Sequence, residues 1–176
     1  MALATYRILA NEYEAEADAI ADYEAINKLY SDLGILDSFD AAVLTRPSDG
    51  KVIIVKRVDE QSKGKPRWVA GLAVGTAVAL FPAVALGIPV LGLGMGLLAG
   101  AGMGAVIGGH VARGMKRSDL KDLGELLDHG TSGLLVVTTT DIEARVEAAI
   151  TRAHKRAKAK LQADNDAIKE EISRAA

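Results

Sequence analysis

Three isolated histidines, two acidic clusters, a short glycine run and a basic stretch are the features of this 176-residue chain whose residue types could do chemistry. His110 is followed by Arg113 at the end of a long apolar run. An imidazole there could sense protons at a pore mouth, since its ordinary pKa is near 6.5, or simply reach out to water. The second reading is the expectation. His129 precedes Gly130 and reads as a helix-end residue, and His154 belongs to the basic stretch. Glu12, Glu14, Glu16 and Asp18 form one acidic cluster, and Asp119, Asp122, Glu125 and Asp128 the other. A carboxylate metal site needs groups converging from separate elements, and neither cluster has a second half. Both are expected to be solvated helix faces with acids favourably placed near helix starts. Gly92-Leu93-Gly94-Met95-Gly96 resembles a dinucleotide-binding loop, but it has neither a strand before it nor a ribose-binding acid after it. No nucleophile elbow or phosphate loop occurs. The absence of cysteine removes thiolate nucleophiles, disulfides and zinc–sulfur sites. The expectation is a protein that is not an enzyme, with no catalytic residue, no metal and no cofactor.

The basic stretch, Arg152, Lys155, Arg156, Lys158 and Lys160, could hold anionic lipid headgroups, at about 1 kcal/mol per cation near the surface. It could equally be the solvated face of an assembly helix. Nucleic acid ranks below both. The net charge is -2, so no global basic field exists, and aromatics at 4% are too few for base-stacking platforms.

One pattern is more specific. No charged residue occurs from Trp68 to Ala112, and within that run Gly92, Gly96, Gly100, Gly104 and Gly108 recur at every fourth position. Gly71, Gly75 and Ala79, continuing to Ala83 and Gly87, form a matching line. Four-residue spacing places small side chains on one helix face and lets another backbone come close. Each glycine costs up to about 1 kcal/mol in an exposed helix interior, so five in a row argue for compensating helix-on-helix contact. Forty-five residues as one helix would span about 67 Å against a hydrocarbon core of about 30 Å. Pro82, Gly87 and Pro89 interrupt the run, which predicts two helices, about Trp68–Leu86 and Val90–Ala112. Arg67 and Trp68 at one end, and Arg113, Lys116 and Arg117 at the other, are placed as membrane-interface residues, putting both ends on the cytoplasmic side.

The elements around this hairpin read as follows. Arg7–Tyr13 is a strand, and Glu14–Leu33 is an amphipathic helix stopped by Gly34. Phe39–Arg46 and Lys51–Val58 form a β-hairpin around Pro47-Ser48-Asp49-Gly50. A helix carries Leu120, Leu123 and Leu126 and ends at His129-Gly130, and Leu134–Thr138 is a strand. Asp141 to about Ser173 reads as one long helix opening on a capping box at Thr140–Glu143. Without the apolar insert, the order is strand–helix–strand–strand–helix–strand. That predicts an α+β fold: a ferredoxin-like split β-α-β domain (1–62 plus 118–140), both helices on one face of a four-stranded sheet, with an inserted glycine-rich transmembrane-type hairpin (66–113) projecting away and a long C-terminal helix (141–176). Met1–Arg7 lacks the basic and apolar regions of a signal peptide.

The segments Asp40–Arg46 through Asp49–Val52, the glycine-rich insert, and Leu120–Leu127 through Gly130-Thr131-Ser132-Gly133 to Val137 resemble a family of bacterial membrane proteins of unknown function. The resemblance covers about residues 6–140. It implies a ferredoxin-like domain with a membrane-type insert and supplies no catalytic residues; the long tail departs from that family's pattern. The functional expectation is a self-assembling protein of the inner, cytoplasmic membrane, its soluble domain in the cytoplasm. The lipid bilayer and further copies of the chain are its expected partners, and the hairpins form a pore or scaffold. The alternatives are a membrane-anchored adaptor for an unidentified protein partner, and a soluble oligomer that buries the apolar hairpin.

Overall fold

The computed structural model describes residues 3–48, 52–57, 72–81, 85–86, 107–126 and 131–175. Their strands are β1 (Leu3–Tyr13), β2 (Asp40–Thr45), β3 (Ile53–Arg57), β4 (Ala85–Leu86), β5 (Ser132–Thr139) and β6 (Lys155–Asp164). The helices are α1 (Glu16–Asp32), α2 (Leu72–Leu80), α3 (107–114), α4 (Arg117–Leu126), α5 (Glu143–Ala149) and α6 (Asn165–Ala175). The fold is α+β. One sheet runs in the order β4-β3-β2-β5-β1-β6, antiparallel throughout except for the short parallel β3–β4 contact.

The first half follows its local signals. The α1 helix ends as expected, with Gly34 at φ 69°, a left-handed conformation that glycine adopts without strain. The expected hairpin strands pair as β2 and β3, with a bulge between Val43 and Leu44.

The layering corrects which elements make up the expected domain. Ile8, Ala10, Ala42, Leu44, Leu135 and Val137 pack on one face of the sheet with α2, α3, α4 and α6. Leu9, Ala41, Val43, Leu134 and Val136 pack on the other with α1 and α5. The helices α1 and α4 therefore cover opposite faces. The cause lies in the strands: β2 and β5 are buried along nearly their whole length, and two-sided apolar strands need a helix layer on each side. Leaving out β3 and β4, the order β2-β5-β1-β6 keeps the first and third of these strands at the centre and puts α1 and α5 on one face. The second helix and the last strand of the expected pattern therefore fall to α5 and β6 rather than to α4 and Leu134–Thr138.

The expected long C-terminal helix is also corrected. Residues 141–176 contain α5, then β6, then α6. The β6 strand pairs with the free edge of β1 from Leu3 opposite Asp164 to Glu12 opposite Lys155. Lysine and alanine both favour helix locally, but pairing satisfies the edge of β1 and buries Ala159, Leu161 and Ala163. The capping box does not form: Ile142 occupies the cap position, with no side-chain hydrogen bond.

The apolar insert does not simply project from the sheet. Its first helix ends at Leu80 rather than Leu86, and Ala85–Leu86 extends the sheet beside β3. Leu72, Ala73, Val74 and Ala77 of α2 and Ile107 and Val111 of α3 are core residues. No helix among the described residues is long and apolar enough to cross a membrane. Most of the second expected helix, residues 90–106, lies outside the described residues, as do residues 127–130 at the expected end of α4.

Candidate functional site: the glycine contact, three buried acids and the basic edge strand

Of the eight helix-packing residues, Gly75, Ala79 and Gly108 fall among the described residues; Gly71, Gly92, Gly96, Gly100 and Gly104 do not. At Gly75, α2 meets α3 so closely that a Cβ there would collide with the Ile107 side chain. This is an intrachain use of a small residue for helix contact. A second close approach was not expected: a Cβ on Gly114 would collide with the backbone carbonyl of Gln162, so the end of α3 lies directly on β6. Of the proposed interface residues, Arg113, Lys116 and Arg117 are exposed, and Arg67 and Trp68 lie outside the described residues.

Asp40 begins β2 and is fully buried. Its Oδ2 accepts a hydrogen bond from the Ala73 amide at 2.9 Å, and the Leu72 amide also donates to the carboxyl. Its Oδ1 has no hydrogen-bond partner among the described residues. Burial pushes the carboxyl up to about 8, and those two amide bonds offset part of the shift.

Glu12 corrects the expectation of a solvated acidic cluster: it is 1% exposed. The Nε2 of His154 lies 2.8 Å from its Oε1, and the Lys155 Nζ lies 3.4 Å from the same oxygen. The His154 amide donates to the Glu12 carbonyl at 3.0 Å. Glu14 and Glu16 are exposed, as expected, and so are Asp122 and Glu125. On the opposite face, buried Asp22 accepts from the Tyr13 hydroxyl at 2.9 Å and from the Arg152 amide at 3.0 Å. Two acids on two elements thus hold the 151–155 turn from both sides of the sheet. His110 is directed at Glu171 of α6, 3.1 Å away, and does not reach freely into water.

The five basic residues do not share one face. In β6, Arg156, Lys158 and Lys160 alternate outward, while Lys155 points to the opposite side with Glu12. Most are engaged. Arg152 pairs with Asp18 at 3.3 Å, and Arg156 donates to the carbonyls of Glu147 and Ile150. Lys158 bridges Glu143 and Glu147, and the Glu147 hydrogen bond is the main cause that raises its ammonium above the ordinary range. A cavity of about 300 Å³ opens beside this strand, floored by Leu9, Ile150 and Ala157 and rimmed by Glu147, Arg156 and Lys158. Its rim charges are largely satisfied by one another.

Sequence reasoning missed Asp22 and Asp40. Neither stands in a motif. The one signal available for Asp40 was an acid opening an otherwise apolar strand. No group of three or more metal-ligating side chains occurs among the described residues.

No curated protein and no solved structure matches the chain. One family model does, over residues 69–173, from the glycine-rich segment through β6 into α6. The match takes in the tail, which the resemblance over 6–140 had set apart, and leaves out β1 to β3. Because it covers more than half of the chain, the chain belongs to the family described as "Protein of unknown function (DUF1269)".

Proposed function

We propose that this chain is a membrane-attached, self-associating, non-enzymatic module on the cytoplasmic side, with its charge-free segment as the working surface. One observation carries the reading. Residues 82–106 contain no charged or polar side chain, and both flanks of that stretch belong to one folded domain, where α2 and α3 touch at Gly75 and Ile107. An apolar stretch of that kind needs cover, from lipid or from another copy of the chain.

Length then limits the mode of attachment. The twenty residues 87–106 would reach about 30 Å as a single helix. A segment that leaves and re-enters one domain must travel out and back, so each arm has about 15 Å, half the hydrocarbon core. Insertion into one leaflet fits this better than a crossing, and it favours a scaffold or anchor over a pore.

Carbonate extraction of membranes, followed by cross-linking, tests the proposal. Retention with the membrane and a cross-linked ladder are expected, and Gly100→Leu should shorten the ladder. Release as a monomer would overturn the reading. A second reading, a soluble oligomer that covers the segment with its own copies, is favoured by the burial of α2 and α3 against the sheet. Release as a discrete oligomer would select it.

A further inference from the structure

We propose that Asp40 is a proton-operated latch: it holds the first turn of α2, and with it one end of the glycine-rich segment, against the sheet, and lets go when its carboxyl is ionised.

The geometry places a carboxyl where β2 grips the start of α2 through polar bonds. Its Oδ2 takes the amide of Ala73, the Leu72 amide also donates, and its Oδ1 is buried without a partner among the described residues. The rest of the α2 contact is made by small or apolar side chains, Leu72, Ala73 and Ala77 among them. Helix α2 itself carries no titratable group. Across the sheet, Asp40 lies opposite Val137 of β5. On β3, Arg57 stands opposite Ala42, two residues along. Beneath the sheet is the Tyr30 hydroxyl, donated to Thr138; Asp40 and Asp141 both oppose its ionisation. Among the described residues, burial and the two amide bonds set the state of the Asp40 carboxyl, with burial the larger.

Undocking α2 would return the carboxyl to water, where it ionises near its ordinary value of 3.8. Docked, burial pushes it up to about 8. The docked state therefore holds the proton more tightly. As pH rises from about 4 to 8, docking weakens by up to about tenfold per pH unit and then levels off. The device works whether lipid or a second copy covers the segment.

The chain has no cysteine, so single thiols can report on it. Ala77→Cys places one on buried α2, and Ala19→Cys places another on buried α1. Labelling rates would be measured from pH 5 to 9 with Asp40 present and with Asp40→Asn, and their ratio cancels the ionisation of the thiol itself. At residue 77 the ratio should rise more than about 100-fold between pH 5.5 and 8 and stay level above. At residue 19 it should not change. A flat ratio at 77 would overturn the latch, and so would equal rises at both positions, which report global unfolding. If Asp40→Asn does not fold, carbon-13 titration of Asp40 in the natural chain decides. A midpoint near 8 with concerted shifts of the Leu72–Leu80 amides supports the proposal, and a midpoint near 4 ends it.

Discussion

Asp22 lies on α1 with 1% of its surface exposed, and it receives the Tyr13 hydroxyl, the Arg152 amide and, at 3.4 Å, the Thr151 hydroxyl. These bonds explain a break in a region rich in helix formers: the amide of Arg152 is drawn to a buried carboxylate on another element instead of a carbonyl four residues back. Burial first, and then the charge of Asp22 and its hydrogen bond, holds the Tyr13 phenol well above its ordinary range. Asp22→Ala would leave a buried hydroxyl and a backbone amide unpaired. Each such group costs about 1–3 kcal/mol, so the urea midpoint should fall markedly. A midpoint unchanged from that of the natural chain would show that these bonds contribute nothing net. None of this was legible in the sequence, because a lone aspartate on a helix reads as surface until its partner, 130 positions away, is known.

Among the elements, α3 is the most tightly seated of the described helices that carry glycine. It touches α2 at Gly75 and β6 at Gly114. Two substitutions separate contact from helix propensity. Gly114→Ala would drive a Cβ into the Gln162 carbonyl, a rigid backbone atom, and should destabilise by about 1–3 kcal/mol. Gly109→Ala, on the same helix, meets only the Arg113 guanidinium at 3.8 Å. It should stabilise by about 0.5–1 kcal/mol through the gain in helix propensity. Thermal melts of the two variants should move in opposite directions. Two decreases of similar size would mean that close approach is not what glycine provides at residue 114.

For the whole molecule, β6 and α6 complete the domain. They close the β1 edge and bring Ala159, Leu161, Ala163 and Ile168 into the core that also holds α2 and α3. A chain ending at residue 154 should lose cooperative unfolding and aggregate, since a long strand edge and an apolar face would be open to water. If that truncated chain melted cooperatively at the natural temperature, β6 would be an accessory. The family match, which includes this region, agrees with its place in the domain.

The sequence by itself determined the features that depend on near neighbours along the chain. These were α1 with its Gly34 stop, the β2–β3 hairpin and the apolar β5. Periodicity and turn chemistry act over a few residues, so they can be read directly. Tertiary structure alone decided that residues 155–164 form a strand, that α1 and α4 take opposite faces, and that Asp40, Glu12 and Asp22 lie inside. Each of these is settled by a partner far away in sequence: a free edge on β1, a second apolar face on β2 and β5, or the first turn of α2. Long-range pairing overrode a local preference of a few tenths of a kcal/mol per residue.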